Sequence, residues 1–322
     1  MNRYLIIQTA FLGDVILATP LIEELKRLQP DCTVDFLVKK GNESLLTNHP
    51  LINELYVFDK SKQKFKNIFR LIKTFRKNRY TEIINLQRFA SSGIITILSG
   101  AKKTVGFDKN PMSVFYSKHF SHELDGRHEV ERNLSLISDL GATQKTRPKL
   151  YPTKADYEKI NALIQTPYYC LAPASVWFTK QLPKEKWVEL IHLLPSPHTI
   201  YLIGGKADFA LCEEIKALAQ AQNVQNIAGT LSLLQSAALF ETSKRTYVND
   251  SGPLHLCSAV NAPVTAFFCS TVPSFGFTPL SEDTEILQTT ENLACRPCGL
   301  HGFKSCPQGH FKCGDIELSV KK

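Results

Sequence analysis

One pattern constrains this chain more than any other: a short aliphatic strand, a turn and an amphipathic helix recur in series, and the series starts twice. Residues 3–8 form an aliphatic run that ends in a turn, after which Val15, Ile16, Ala18, Leu21, Ile22, Leu25 and Leu28 recur at helical spacing until Pro30. Strand-like runs follow at 33–38, 54–58 and 81–86, with helical periodicity between them. Alternating β and α implies a parallel sheet with right-handed crossovers. The alternation weakens across 143–166, a polar stretch with Pro148 and Pro152, and Pro167 follows directly. We place the interdomain link there. It restarts with strands at 168–172, 199–203, 224–228 and 245–248 and helices at 187–194, 209–221, 231–240 and from about Gly252. A chain of 322 residues also exceeds what one core usually supports. The expected fold is α/β, with two Rossmann-like domains at 1–150 and 151–322.

Composition narrows the class. Hydrophobic content of 43% with 21% charged residues is ordinary for a globular protein, and no apolar run is long enough to cross a bilayer. The N-terminal apolar stretch is broken by Gln8 and Thr9 and closed by Asp14, so it reads as a buried strand and not as a signal peptide. Cys32, Cys170, Cys212, Cys257 and Cys269 are scattered singly through predicted elements, as reduced core thiols in a cytosolic protein would be.

In sheets of this kind ligands sit outside the carboxyl ends of the strands, so the loops leaving each strand are where chemistry is expected. The first loop, 9–14, has one glycine where a dinucleotide fingerprint needs three, which argues against a nucleotide-cofactor oxidoreductase. It puts the carboxylate of Asp14 at a helix N-terminus, where it serves either as a cap or as a reactive group. In the second domain, 174–183 offers hydroxyls and Lys180, and Gly204-Gly205 gives either a close backbone approach or a plain turn. The most telling run is Val248-Asn249-Asp250-Ser251-Gly252-Pro253-Leu254-His255. There Ser251 is placed as a cap and Pro253 lies in the first helical turn, leaving free N–H groups suited to a diphosphate without any metal. Asp250 suits sugar hydroxyls better than phosphate, and His255 either donates to a phosphate or packs.

Two clusters remain. Nine Lys or Arg and no acid lie between Lys60 and Arg79, leaving 29 basic and 30 acidic residues elsewhere, so this segment carries the whole net charge of +8. Lys62, Lys66, Arg70, Lys73 and Lys77 recur at helical spacing, and Phe65, Ile68, Phe69, Ile72 and Phe75 are expected to form the opposite, apolar face. No nucleic-acid module is present, and an anionic membrane or phosphorylated glycolipid is the expected partner. Near the C-terminus, Cys295, Cys298, Cys306 and Cys313 lie close to His301 and His310, a spacing open to structural zinc, free thiols or a redox role.

Taken together, LGDVILATPLIEEL, SVWFTKQLPKEKW, LIGG, NIAGTLSLLQSAAL and VNDSGPLHLCSAV resemble the family 9 heptosyltransferases over nearly the whole chain. The resemblance implies a GT-B fold of two Rossmann-like domains facing across a cleft, the first binding acceptor and the second binding ADP-heptose. It implies inverting transfer of heptose to the lipopolysaccharide inner core or a lipid A precursor, with no catalytic cofactor, by a cytoplasmic enzyme peripheral at the inner face of the inner membrane. Asp14, after Gly13, would be the catalytic carboxylate. Thr179 and Lys180 would meet the donor phosphates, and Asp250, Ser251, Gly252 and His255 the diphosphate and sugar. The cysteine-rich ending also resembles that of family members. The helix expected after it is cut short, and Gln181-Leu182-Pro183 stands where Trp commonly precedes the Pro. The competing reading is a non-enzymatic scaffold that binds membrane.

Overall fold

The computed structural model describes residues 1–142 and 146–321. Packing divides the chain into two compact units, Met1–Tyr151 and Pro152–Lys322. In the first, strands β1 (Arg3–Gln8), β2 (Thr33–Lys39), β3 (Leu55–Phe58), β4 (Glu82–Asn85), β5 (Lys103–Phe107) and β6 (Lys118–Phe120) line up in the order β3-β2-β1-β4-β5-β6. Every neighbouring pair is parallel. Leu5, Ile6 and Ile7 are all fully buried, because a parallel sheet covered by helices on both faces needs apolar side chains on each. Helices α1 (Leu12–Leu28), α2 (Lys64–Asn78), α3 (Ala90–Leu98) and α4 (Glu129–Ser135) complete this unit.

In the second unit a helix, α5 (Lys154–Ile160), precedes β7 (Tyr168–Ala172), α6 (Lys184–Leu193) and β8 (Thr199–Leu202). Next come α7 (Phe209–Ala219), β9 (Val224–Asn226), α8 (Leu233–Glu241), β10 (Thr246–Asn249), α9 (Gly252–Val260), β11 (Val264–Phe268) and β12 (Thr284–Gln288). The sheet order β12-β11-β10-β7-β8-β9 repeats that of the first unit, again with parallel pairs. Its core is anchored by Trp187, whose ring meets Phe267 edge-on at 5.3 Å.

The strand order reverses between β1 and β4 in one unit and between β7 and β10 in the other. At such a reversal the crossover helices leave to opposite faces, which opens a crevice at the carboxyl ends of the two central strands. The loops after β1, β4, β7 and β10 therefore hold the positions best placed for ligands.

Two sequence expectations change. The interdomain link predicted at 143–166 contains α5, capped reciprocally by Thr153 and Asp156 and joined to α8 through Tyr157 and Glu241; residues 143–145 of it lie outside the described residues. In α2 the buried face is Ile68, Leu71, Ile72 and Phe75, whereas Phe65 and Phe69 are 75% and 71% exposed. The arc through 65 and 69 turns away from the sheet once Leu71 is counted on the inner face. The cysteine-rich segment ends in a short turn at Lys312–Gly314, and the described residues after it form no helix, with Ser319 and Lys321 bonding Glu285 and Asp283.

Candidate active site

In the first unit, Asp14 occupies the third position of α1 and its Oδ2 accepts the Phe11 N–H at 3.1 Å. This is the cap expected from the sequence. A helix N-terminus by itself lowers a carboxyl pKa, but burial, followed by the charge of Glu129, pushes that of Asp14 up to about 6, against the opposing Phe11 N–H and Lys109. Glu129 stays anionic although its own burial opposes this, because His122 at 3.0 Å and Arg132 at 2.8 Å hold it at about 2. Asp14 is thus a carboxylate whose proton affinity lies near neutrality, which suits a general base.

Beside it, β1 and β4 run in register with Ile7 opposite Asn85, and Thr9 and Gln87 each stand two residues further on. Both are buried, yet Thr9 Oγ1 and Gln87 Nε2 have no hydrogen-bond partner. Lys60 reaches in from the loop after β3 to donate to the Thr9 carbonyl at 2.9 Å, and burial together with Lys39 and Lys64 lowers its pKa to about 8. Buried polar atoms left without partners are exceptions that call for a ligand or an ordered water. The sequence signal was weak: an isolated Thr and an isolated Gln just past strand ends.

In the second unit, Lys180 Nζ lies 2.7 Å from Asp250 Oδ2, with side chains only 15% and 8% exposed. Thr271 donates to the same carboxylate oxygen at 2.7 Å. Both loops are fixed by Asn249, fully buried at the end of β10, which accepts the Leu182 N–H at 2.9 Å and donates to the Pro173 carbonyl at 2.8 Å. Asn249 was read as one polar residue in a cluster; its clamping role could not be seen because both partners lie on another strand's loop. Replacing Asn249 with Ala strands two buried backbone groups, so urea unfolding should lose roughly 2–6 kcal/mol, at about 1–3 per unpaired group.

The first unit thus holds a carboxylate with raised proton affinity, and the second a half-buried lysine next to the start of α9, where backbone N–H groups favour an anion. The sequence matches glycosyltransferase family 9 (heptosyltransferase) across residues 68–300. This chain belongs to that family. It is 30% identical to lipopolysaccharide heptosyltransferase 3 of Escherichia coli over 81% of this chain and 82% of that one. Lipopolysaccharide heptosyltransferase 1 of Campylobacter coli is 28% identical, covering 84% of each. Among solved structures, E. coli ADP-heptose lps heptosyltransferase II aligns with a TM-score of 0.78 at 20% identity, covering 97% of each chain, which establishes a shared fold of the GT-B type.

The remaining residues expected in this glycosyltransferase's site fall into two groups. Gly13 lies in the first turn of α1, and Gly252 and the buried His255 in the first turns of α9, where the sequence put them. Ser251 holds the N-cap position of α9, but its hydroxyl makes no cap bond and sits 3.4 Å from the Asn249 carbonyl. Thr179 is packed inside the second unit. It is 1% exposed, and its hydroxyl accepts from Ser270 at 3.0 Å and from the Phe303 N–H at 2.8 Å. Gly204 and Gly205 form the plain turn: Asp208 accepts the Gly205 N–H at 2.7 Å, and a Cβ on Gly204 would meet Asp208 at the same distance.

The cysteine-rich segment supports this site from behind. Arg296 donates to the carbonyls of Cys269, Phe268 and Thr271 at 2.7–3.0 Å, and Gly302, at φ +76°, packs where a Cβ would strike Thr179. Among the described residues no three His, Cys, Asp or Glu side chains converge tightly enough to hold a metal ion. Cys298 donates to the Cys295 carbonyl, Cys295 lies 3.9 Å from His310, Cys306 receives backbone N–H groups, and Cys313 is buried in the core.

Proposed function

We propose that this heptosyltransferase moves heptose from ADP-heptose to the lipopolysaccharide inner core, inverting the anomeric centre and needing no divalent metal. The observation that carries the reading is the Lys180–Asp250 pair at the head of α9: a half-buried lysine and helix N–H groups together supply the positive field a leaving diphosphate requires. In this reading Asp250 turns to sugar hydroxyls once the diphosphate recruits Lys180. Acceptor hydroxyls meet Thr9 and Gln87 near Asp14. Relatives named for lipopolysaccharide and for ADP-heptose support donor and acceptor class alike. Among the described residues no helix is long and apolar enough to cross a membrane, and we place the enzyme at the cytoplasmic face of the inner membrane, held there by the basic residues Lys62, Lys66, Arg70, Lys73 and Lys77.

The test compares lipopolysaccharide from cells with and without the gene by mass spectrometry, then repeats the transfer in vitro. Cells lacking the gene should yield a core short of one heptose and of everything attached beyond it. EDTA should leave the purified reaction within about twofold of its rate, because the phosphate field is made by the protein. An unchanged core would overturn the acceptor assignment. Loss of activity on chelation that Mg²⁺ restores would overturn the metal-free donor site, and rescue by Zn²⁺ alone would point to the cysteine segment instead.

A further inference from the structure

The two phenylalanines that the sequence pattern puts inside α2 lie outside it. Phe65 and Phe69 occupy successive turns and are 75% and 71% exposed. The core is served by Ile68, Leu71, Ile72 and Phe75. A pair of aromatic rings in water on one helix face has no packing role in this unit.

Their surroundings are cationic. Lys62, Lys64, Lys66, Arg70, Lys73 and Lys77 are exposed around them, and among the described residues none forms a salt bridge. A soluble surface that carries this much like charge normally intersperses acids. Here the segment from Lys60 to Arg79 contains none.

The patch also has a defined place. In a parallel unit the helix begins at the carboxyl edge of the strand it follows, so Lys64 and Phe65 start at the edge that carries the loops after β1 and β4. Lys60 ties these together by its bond to the Thr9 carbonyl, and its ammonium lies 5.7 Å from the ring of Phe89. Phe89 and Phe11 are themselves 52% and 64% exposed, with Lys39 over the Phe11 ring at 5.1 Å. Aromatic rings interleaved with lysines along one edge are the composition that settles at a bilayer interface, with rings at acyl-chain depth and ammonium groups among the phosphates.

We infer that Phe65 and Phe69 insert into an anionic bilayer surface, with the basic side chains of α2 on the headgroups, so that the edge carrying Asp14 meets a lipid-anchored acceptor. The inference rests on the membrane reading above and adds to it an apolar anchor that charge alone does not require. Binding by charge alone is screened away by salt, whereas inserted rings resist it.

The test uses the full chain with vesicles of phosphatidylethanolamine and phosphatidylglycerol, and with phosphatidylcholine vesicles as the neutral control. Wild type should sediment with the anionic vesicles and keep a measurable fraction bound in 0.5 M salt. Phe65→Ser/Phe69→Ser should lose at least tenfold in vesicle affinity and all of the salt-resistant fraction. Its melting temperature, ADP affinity and transfer to a lipid-free core oligosaccharide should be unchanged, because both rings are exposed. Phe65→Trp should show a blue-shifted emission on adding anionic vesicles and none with neutral ones. A double serine variant that binds like wild type, while Lys66→Glu/Arg70→Glu/Lys73→Glu loses binding, would overturn insertion and leave the electrostatic reading standing. Wild type that binds neither vesicle overturns both.

Discussion

Replacing Asp14 with Asn should slow heptose transfer by at least about a hundredfold while leaving ADP binding and folding intact. Attack by the acceptor hydroxyl forms the new C–O bond at the anomeric carbon as the bond to the diphosphate breaks, and ADP leaves with the electron pair. The hydroxyl proton needs somewhere to go, and a carboxylate in reach both takes it and stabilises the cationic sugar. Loss of a general base costs about 10²–10⁴-fold in rate. Burial and Glu129 together place the Asp14 pKa at about 6, so kcat/KM should fall about tenfold per pH unit below that value. The Asn variant should lack this limb. Its stability gives an independent sign. An acid whose pKa is raised in the folded state favours folding when protonated, and that advantage is lost as pH rises from about 4 through 6. At pH 8 the Asn variant should therefore melt at or above the wild-type temperature, since Asn also accepts the Phe11 N–H. A variant that keeps more than about a tenth of the wild-type rate, with the acid limb unchanged, would reduce Asp14 to its cap role.

Glu129 explains why this titration could not be read from the chain. The loop 9–14 announces a carboxylate at a helix start, and a helix start by itself lowers a pKa. What raises it instead is burial first and then the charge of Glu129 in α4, distant in sequence and kept anionic by His122 and Arg132. Local pattern carries no information about that juxtaposition. The same division runs through the fold. Central strands such as β1 and β7 were legible because parallel strands buried on both faces are near-continuous hydrophobic runs. The outer strands β5 and β6, Lys-Thr-Val-Gly-Phe and Lys-His-Phe, have no such signature and take their conformation from the neighbour they pair with. Helical periodicity located α2 correctly and rotated it wrongly. Phe65 and Phe69 are as apolar as Ile68 and Ile72, and only Leu71, placed against the sheet, decides which arc is inside. The packing of Thr179 was hidden for a related reason: its hydroxyl accepts from Ser270 and Phe303, which lie on distant segments.

Lys180 should prove to be the residue on which donor affinity depends, and its pairing with Asp250 allows that to be separated from stability. In Lys180→Met the side-chain length is kept and the charge removed. The Asp250 carboxylate, 8% exposed, is then left with the Thr271 hydroxyl, which donates to it at 2.7 Å. Removing one partner of a buried ion pair typically costs about 3–5 kcal/mol, because the other charge stays desolvated. A fall in melting temperature is expected on that ground alone, and a loss of activity in the single variant would be ambiguous. The double variant Lys180→Met/Asp250→Asn removes both charges, and Asn still accepts from Thr271. Most of the lost stability should return. The ADP affinity should not, because a charge-assisted hydrogen bond to the diphosphate contributes about 1.5–3 kcal/mol, which is roughly a ten- to hundredfold change in Kd. Calorimetric titration of ADP into wild type, single and double variants measures this, with Asp14→Asn as the control whose ADP affinity stays at the wild-type value. If the double variant regains wild-type ADP affinity along with its stability, Lys180 serves only to neutralise Asp250. The diphosphate would then be held by the backbone N–H groups of α9 alone.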